Sequence, residues 1–476
     1  MTAMDKGSAR RKVAATPAKA EKRLDNARNA RKADKAGKGG KGRGGAKAPE
    51  VPVFIEPSTA LPLVGVSLTF RSGSAHDPEG REGLARIVAR MLRRGAGDLS
   101  AMAIEESINA LGGELGANAG LGATAVFFEV IKRSLDPFLD LAATIISRPT
   151  FDAIELARLL REAEAELIEA RDSDAWLASR AFRRTVFEGH IYGRRISGYE
   201  RTLRAITRDD VVAFYERHYT RANAIVAISG DVDEAEGREI AERLLAGLPE
   251  GERVTDPAPP PERKAGRHLI FVDKPKRTQT QMLIGGLGTH PRDDDHVPLF
   301  VANTAFGGTF SSRMMQEIRA KRGWSYGAGS QLAFDRRRDA FTMWAAPAAG
   351  DAAPCLGLML EMFHAFRHEG VTRKELDFVK SYLVRSHAFE VDTAKKRVHQ
   401  RLDAELLDLP KGYHERYIEH VEAVKLKEAR VAVRERLSED DLVIAVVGTH
   451  AELGEAIAKA IPDLASVTVA AFDDGE

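Results

Sequence analysis

Two apolar runs in this chain read as copies of each other. Ala224-Ile225-Val226-Ala227-Ile228 leads into Ser229-Gly230, and Leu442-Val443-Ile444-Ala445-Val446-Val447 leads into Gly448. Each is followed by a helical pattern, over 233–247 and 451–461. Gly448 stands 218 residues after Gly230. A period this long marks a duplicated domain, because solenoid repeats recur within a few tens of residues. A length of 476 residues suits about two to four domains.

Each half opens rich in strand and continues rich in helix, which predicts an α+β fold of two homologous halves, each a mainly antiparallel sheet with helices packed on it. Val64, Val66, Leu68 and Phe70 alternate as in a half-buried strand. After the turn Asp77-Pro78-Glu79-Gly80, the residues Leu84, Ile87, Val88, Met91 and Leu92 form one face of a helix that ends at Gly95. A second helix runs from about Ser100 to Leu111 and stops at Gly112-Gly113. Leu115 to Val130 reads as strand, turn and strand. Helices follow at about 136–147 and 151–171. The predicted division is 51–249 and 267–476, joined by a Pro-rich linker at 250–266.

Charge is unevenly placed. Residues 1–50 carry 15 Lys/Arg and 5 Asp/Glu, a net of +10, and the remainder a net of −9. The tail has almost no large apolar residue to offset its ordering entropy, so disorder is expected there. It reads either as a solvated leader or as a non-specific contact for nucleic acid or anionic surfaces; the leader is the expectation, and nucleic acid is not an expected partner. No apolar run approaches the 18 residues of a membrane span, and no export signal is visible, so a cytoplasmic protein is expected. The one cysteine, Cys355, excludes a disulfide framework and a Cys-based zinc site.

The densest pattern in the second half is Phe306-Gly307-Gly308-Thr309-Phe310-Ser311-Ser312-Arg313, followed by Glu317 to Gly327. It reads as a glycine turn, a short amphipathic helix and a Gly-bounded strand, with Arg319 and Tyr326 seven residues apart across the break. Together with Gly83-Leu84-Ala85, Met91-Leu92, Gly112-Gly113-Glu114-Leu115 and the loop from Gly189 to Gly198, it resembles the pitrilysin/insulinase (inverzincin) zinc peptidases over about 55–470.

That resemblance implies a zinc helix of the form HxxEH, with two His ligands at i and i+4 and a general-base Glu. At the matching place stand Arg86-Ile87-Val88-Ala89-Arg90. A guanidinium has no lone pair for a metal, and Ala89 cannot accept a proton from water. The third ligand position is still a carboxylate, Glu166, with the register leaving Glu164 or Glu169 open. An ion pair from Arg86 or Arg90 to Glu166 is expected in place of the zinc cross-link, and no metal is expected on this chain. His414 to His420 misses HxxEH because position 416 is Arg, and His190 reads as part of a structural loop.

The chain therefore resembles the non-catalytic, HxxEH-lacking subunit of bacterial or mitochondrial-processing-peptidase-like heteromers. The resemblance implies a heterodimer with an HxxEH-bearing homologue that holds the zinc, and an unstructured peptide as substrate. Arg319 and Tyr326 would then assist the partner's site. The alternative is a non-peptidase binding or scaffold homologue, like the core subunits of a respiratory complex.

Overall fold

The computed structural model describes residues 50–474; residues 1–49 of the basic tail, expected to be disordered, lie outside them. The first domain runs β1 (Val53–Pro57), β2 (Leu63–Phe70), α1 (Leu84–Met91), a short ladder of β3 (Gly95–Ala96) with β4 (Leu99–Ser100), α2 (Ala101–Leu111), β5 (Gly113–Ala119), β6 (Thr124–Ile131), α3 (Leu135–Ser147), α4 (Ala153–Ala170), α5 (Asp174–Val186), α6 (Glu200–Ala205), α7 (Arg208–His218), β7 (Ala224–Gly230) and α8 (Glu234–Leu245). The second runs β8 (Arg267–Asp273), β9 (Gln281–Leu287), α9 (His296–Asn303), β10 (Ala328–Phe334), β11 (Arg338–Ala345), α10 (Ala352–Glu369), α11 (Arg373–Glu390), α12 (Ala394–Leu406), α13 (Tyr417–Ala423), α14 (Leu426–Arg436), β12 (Leu442–Gly448), α15 (His450–Lys459) and β13 (Leu464–Ala471).

The first sheet has the order β1-β7-β2-β6-β5 and the second β10-β11-β9-β12-β8-β13. Read from the other edge, the second sheet repeats the first and adds β13. In both, the two echoed apolar strands, β7 and β12, hold the same place. Each pairs parallel with the opening strand of its half, β1 or β8, and antiparallel with the next, β2 or β9. Two homologous α+β domains, each built on a mixed, mainly antiparallel sheet, are thus present.

Local chemistry sets the element ends as the sequence suggests. Ser100 caps α2 by accepting from the Ala103 amide at 3.2 Å, and Gly112, at φ 67, ends the helix in the left-handed region. Asp77 starts α1 by accepting from the amides of Gly83 and Ala85 at 2.8 and 2.7 Å. Gly83 itself has φ 102, and a Cβ there would stand 3.1 Å from Gly198 Cα, which is how the loop ending at Gly198 seats against the start of α1. His190, in that loop, meets the Pro259 carbonyl at 2.9 Å and accepts from the Tyr192 amide at 3.1 Å. It holds a loop to the proline-rich segment.

The domains exchange helices. In β7, Ala224, Val226 and Ile228 face the first domain's own core, while Ile225 and Ala227 face Val398 and Leu402 of α12 from the second domain. In β12, Leu442, Ile444 and Val446 face their own core. Its alternate residues Val443, Ala445 and Val447 meet α5 of the first domain, through Phe182, Val186, Leu177 and Ala178. Charges fix both crossings. Asp174, at the start of α5, pairs with Lys274 at 2.8 Å and Arg277 at 2.7 Å. Arg397 of α12 pairs with Glu56 at 2.7 Å, and Arg401 lies over Phe54.

Because α5 completes the second sheet, truncating it should loosen both domains together. Leu177→Ala is expected to cost about 2–5 kcal/mol, as for other fully buried leucines. Urea unfolding followed by circular dichroism and by tryptophan fluorescence should still give one coincident transition at a lower midpoint.

Candidate functional site

The helix that would carry zinc ligands is α1. Its buried face is Leu84, Ala85, Ile87, Val88 and Met91, which leaves Arg86 and Arg90 together on the other side. Ala89, at the general-base position, is fully buried. Opposite lies α4, whose Leu156, Leu159, Ala163 and Leu167 enter the same core and present Glu155, Glu162 and Glu166 toward α1.

The guanidinium of Arg86 donates to Glu166 at 2.7 Å. Arg90 donates to both oxygens of the same carboxylate, at 3.0 and 2.8 Å. The expected pairing with Glu166 is therefore present, and it is made by both arginines. Of the three glutamates that the register leaves open, Glu166 is the one that meets Arg86 and Arg90; Glu164 turns instead to Arg204 at 3.1 Å and Glu169 is exposed. The ladder extends one turn further: Arg94 reaches Glu162 at 2.6 Å and Glu155 at 3.5 Å. Arg94, Glu162 and Glu155 were not singled out from sequence, although arginines at 86, 90 and 94 show the spacing of one helical face.

These side chains do not fit a zinc ion. Two permanent cations occupy the positions of neutral ligands, and the one carboxylate has its oxygens taken by them. Burial acts to raise the Glu166 pKa, but the hydrogen bonds from Arg86 and Arg90, with their charges, outweigh it and hold the carboxyl below its usual range.

The second group of residues lies in the other domain. A π-helical turn over Thr304–Gly308 stands where the glycine turn is expected, a second over Met315–Lys321 replaces the plain amphipathic helix, and the strand starts only at Ala328, so Tyr326 lies in the irregular stretch before it. The first brings Gly307 against β10 so closely that a Cβ would lie 2.3 Å from the Ser330 amide nitrogen. Gly307 is therefore a point of backbone approach as well as part of a turn. Glu317 in the second turn pairs with Lys321 and with Arg322 at 2.8 Å. Among the described residues, Arg319 pairs with no acid. Its guanidinium lies between the rings of Phe310 and Tyr326, 4.7 and 4.6 Å from their centroids. Ser325 steadies the following turn by donating to the Gly327 carbonyl at 2.5 Å and accepting from the Ala346 amide at 3.0 Å.

Tyr326 is 88% exposed and Phe310 72%. Among the described residues, neither Tyr326 nor Arg319 makes a side-chain hydrogen bond, and Tyr326 is open to solvent while Arg319 is part-buried. The sequence alone does not mark Phe310 as a partner of Arg319; the one signal it offers is an aromatic just past a Gly-Gly pair. No hydrogen bond, ion pair or ring contact among the described residues joins the Arg319–Tyr326 stack to the Arg86–Glu166–Arg90 cluster. Cys355 is fully buried within α10, and burial pushes its thiol up to about 12, which suits a packed core residue.

Two family descriptions match this chain: the insulinase family, peptidase family M16, over residues 53–198, and the peptidase M16 inactive domain over residues 205–383. The chain is an M16 metallopeptidase homologue. The crystal structure of a peptidase M16 inactive domain from Pseudomonas fluorescens is similar at TM-score 0.79 and 25% identity, covering 85% of this chain and 96% of that one. An uncharacterized zinc protease of Rickettsia bellii is 29% identical over 60% of this chain and 68% of its own length. The non-peptidase homolog YmxG of Helicobacter pylori is 20% identical over 84% of this chain and 92% of its own. The degenerate helix falls inside the first M16 match and the Arg319–Tyr326 stack inside the second. No helix among the described residues is long and apolar enough to cross a membrane.

The ladder makes a pH-dependent contribution of definite sign. A carboxyl whose folded pKa is depressed stabilises fully above its unfolded value, near 4.5, and loses that contribution as pH falls through the folded value. Glu166→Gln should therefore lower stability at pH 7, by no more than about 1 kcal/mol because the side chain is 41% exposed. The gap to the unmodified protein should close as pH drops below 4.5 in urea titrations.

Proposed function

We propose that this chain is the zinc-free subunit of a heteromeric insulinase-type metallopeptidase, helping to enclose and orient extended peptides for hydrolysis by a zinc-bearing partner. The observation that carries the reading is a pairing of opposites. The motif for activating water is closed by an arginine–glutamate cluster, while Arg319 rests against an exposed Tyr326 and neither side chain has a hydrogen-bond partner among the described residues. In this reading residues 51–249 and 267–476 are the two domains of one half of a chamber, and 250–266 joins them.

The chemistry left to these two side chains is electrostatic. Hydrolysis of a peptide bond puts negative charge on the carbonyl oxygen, and a donor fixed beforehand at that oxygen lowers the barrier. The Tyr326 hydroxyl suits that role. Arg319, held against the Phe310 and Tyr326 rings and without a hydrogen-bond partner among the described residues, would grip the same oxygen or a neighbouring substrate carbonyl. Activation of water belongs to the partner's zinc.

The test is co-purification with an HxxEH homologue from the same host, followed by peptide hydrolysis. Tyr326→Phe and Arg319→Ala are expected to cut kcat by about 10²-fold or more, the usual effect of removing one such donor. Native mass spectrometry should show the heterodimer unchanged in both variants. Full activity in intact variant complexes would sink the reading and favour the binding or scaffold homologue.

A further inference from the structure

A second cluster, on the far part of the second domain's sequence, has the make-up of a metal site. His364 and His368 stand one turn apart on α10, their ring centroids 4.2 Å apart. Both aim at one carboxylate. His364 Nδ1 is 2.6 Å from Glu439 Oε2, and His368 Nε2 is 2.8 Å from Glu439 Oε1. One ligand atom from each of the three residues lies within 4.8 Å of the others. The i, i+4 histidine spacing is what places two imidazoles on the same side of one coordination sphere.

The carboxylate is the anchored member. Glu439 follows α14 in the turn into β12, and its side chain is only 17% exposed, against 63% and 55% for the imidazoles. Arg367, between the two histidines in sequence, donates to Glu439 Oε1 at 3.0 Å and to the Arg434 carbonyl at 3.1 Å. It holds one oxygen as an outer hydrogen bond to a metal-bound carboxylate would, leaving Oε2 directed at His364. Lying 3.0 Å from Oε1, its charge also weakens the pull of the carboxylate on a cation.

We propose that His364, His368 and Glu439 bind one zinc-type divalent ion, with water completing the sphere. Two imidazoles and a carboxylate select zinc, nickel or copper over magnesium or calcium. On binding, each imidazole gives up the proton on its ligating nitrogen, to its other nitrogen or to solvent, and the metal replaces two N–H···O contacts. The ion would tie α10 to the turn before β12. This proposal does not rest on the subunit reading, because neither α1 nor the Arg319 segment takes part.

The experiment uses the full chain without a histidine tag, stripped by a chelator and titrated with zinc chloride against a chromophoric competitor. One equivalent should bind, with affinity in the micromolar range. The double variant His364→Ala/His368→Ala should lose at least tenfold in affinity, and so should Glu439→Gln, with circular dichroism unchanged. Cobalt(II) added to the stripped protein should give visible absorption bands of a tetrahedral centre that vanish in the double variant. Zinc uptake by the double variant equal to that of the unmodified chain would overturn the assignment, as would no uptake by either.

Discussion

A sheet has two faces, and strands that are apolar on both need cover on both. Here the second face of each central region is covered by a helix from the other domain. The strands β7 and β12 are buried on both sides, which is why their sequences are unbroken apolar runs and not alternating ones. Removing either domain would uncover Ile225 and Ala227 on one side, or Val443, Ala445 and Val447 on the other. Neither sheet is a finished unit by itself. Everything placed on them, the α1–α4 cluster and the π-helical segment included, inherits its position from that mutual closure.

Within this frame the loss of zinc chemistry has a structural counterpart. A metal held between α1 and α4 would bridge two helices that pack edge to edge. The present chain bridges them with three arginines and three glutamates, in a ladder whose charges balance. Each rung is part-exposed and worth little singly, but shared carboxylates and two-pronged contacts fix the helix spacing. The helices stay docked although the carboxylates between them are engaged by guanidinium groups and not by a metal-binding histidine pair.

Much of this was legible beforehand, for reasons that can be named. The duplicated strands carry their signal in local composition, and the caps at Ser100 and Gly112 follow from short-range sterics. The replacement of HxxEH is a matter of residue identity. The choice among Glu164, Glu166 and Glu169 was not legible, because neighbouring positions on one helix differ by a rotation that only the packing of α4 fixes. The π-helical turns leave no mark in periodicity, and the close approach of Gly307 to β10 in the first of them is a long-range contact. The crossing of α5 and α12 is a long-range event to which neither helix's own pattern points. The histidine pair at 364 and 368 was visible as a spacing, but Glu439 joins it only through the fold.

The exchanged helices also bear on how the chain is made. Synthesis runs from the amino end, so β7 leaves the ribosome well before α12. Between Ala227 and Val398 lie 170 residues, on the order of ten to thirty seconds of elongation. Throughout that interval the outer face of β7, with Ile225 and Ala227, has no cover of its own. The first domain must wait, an apolar strip open, for a helix still to be translated.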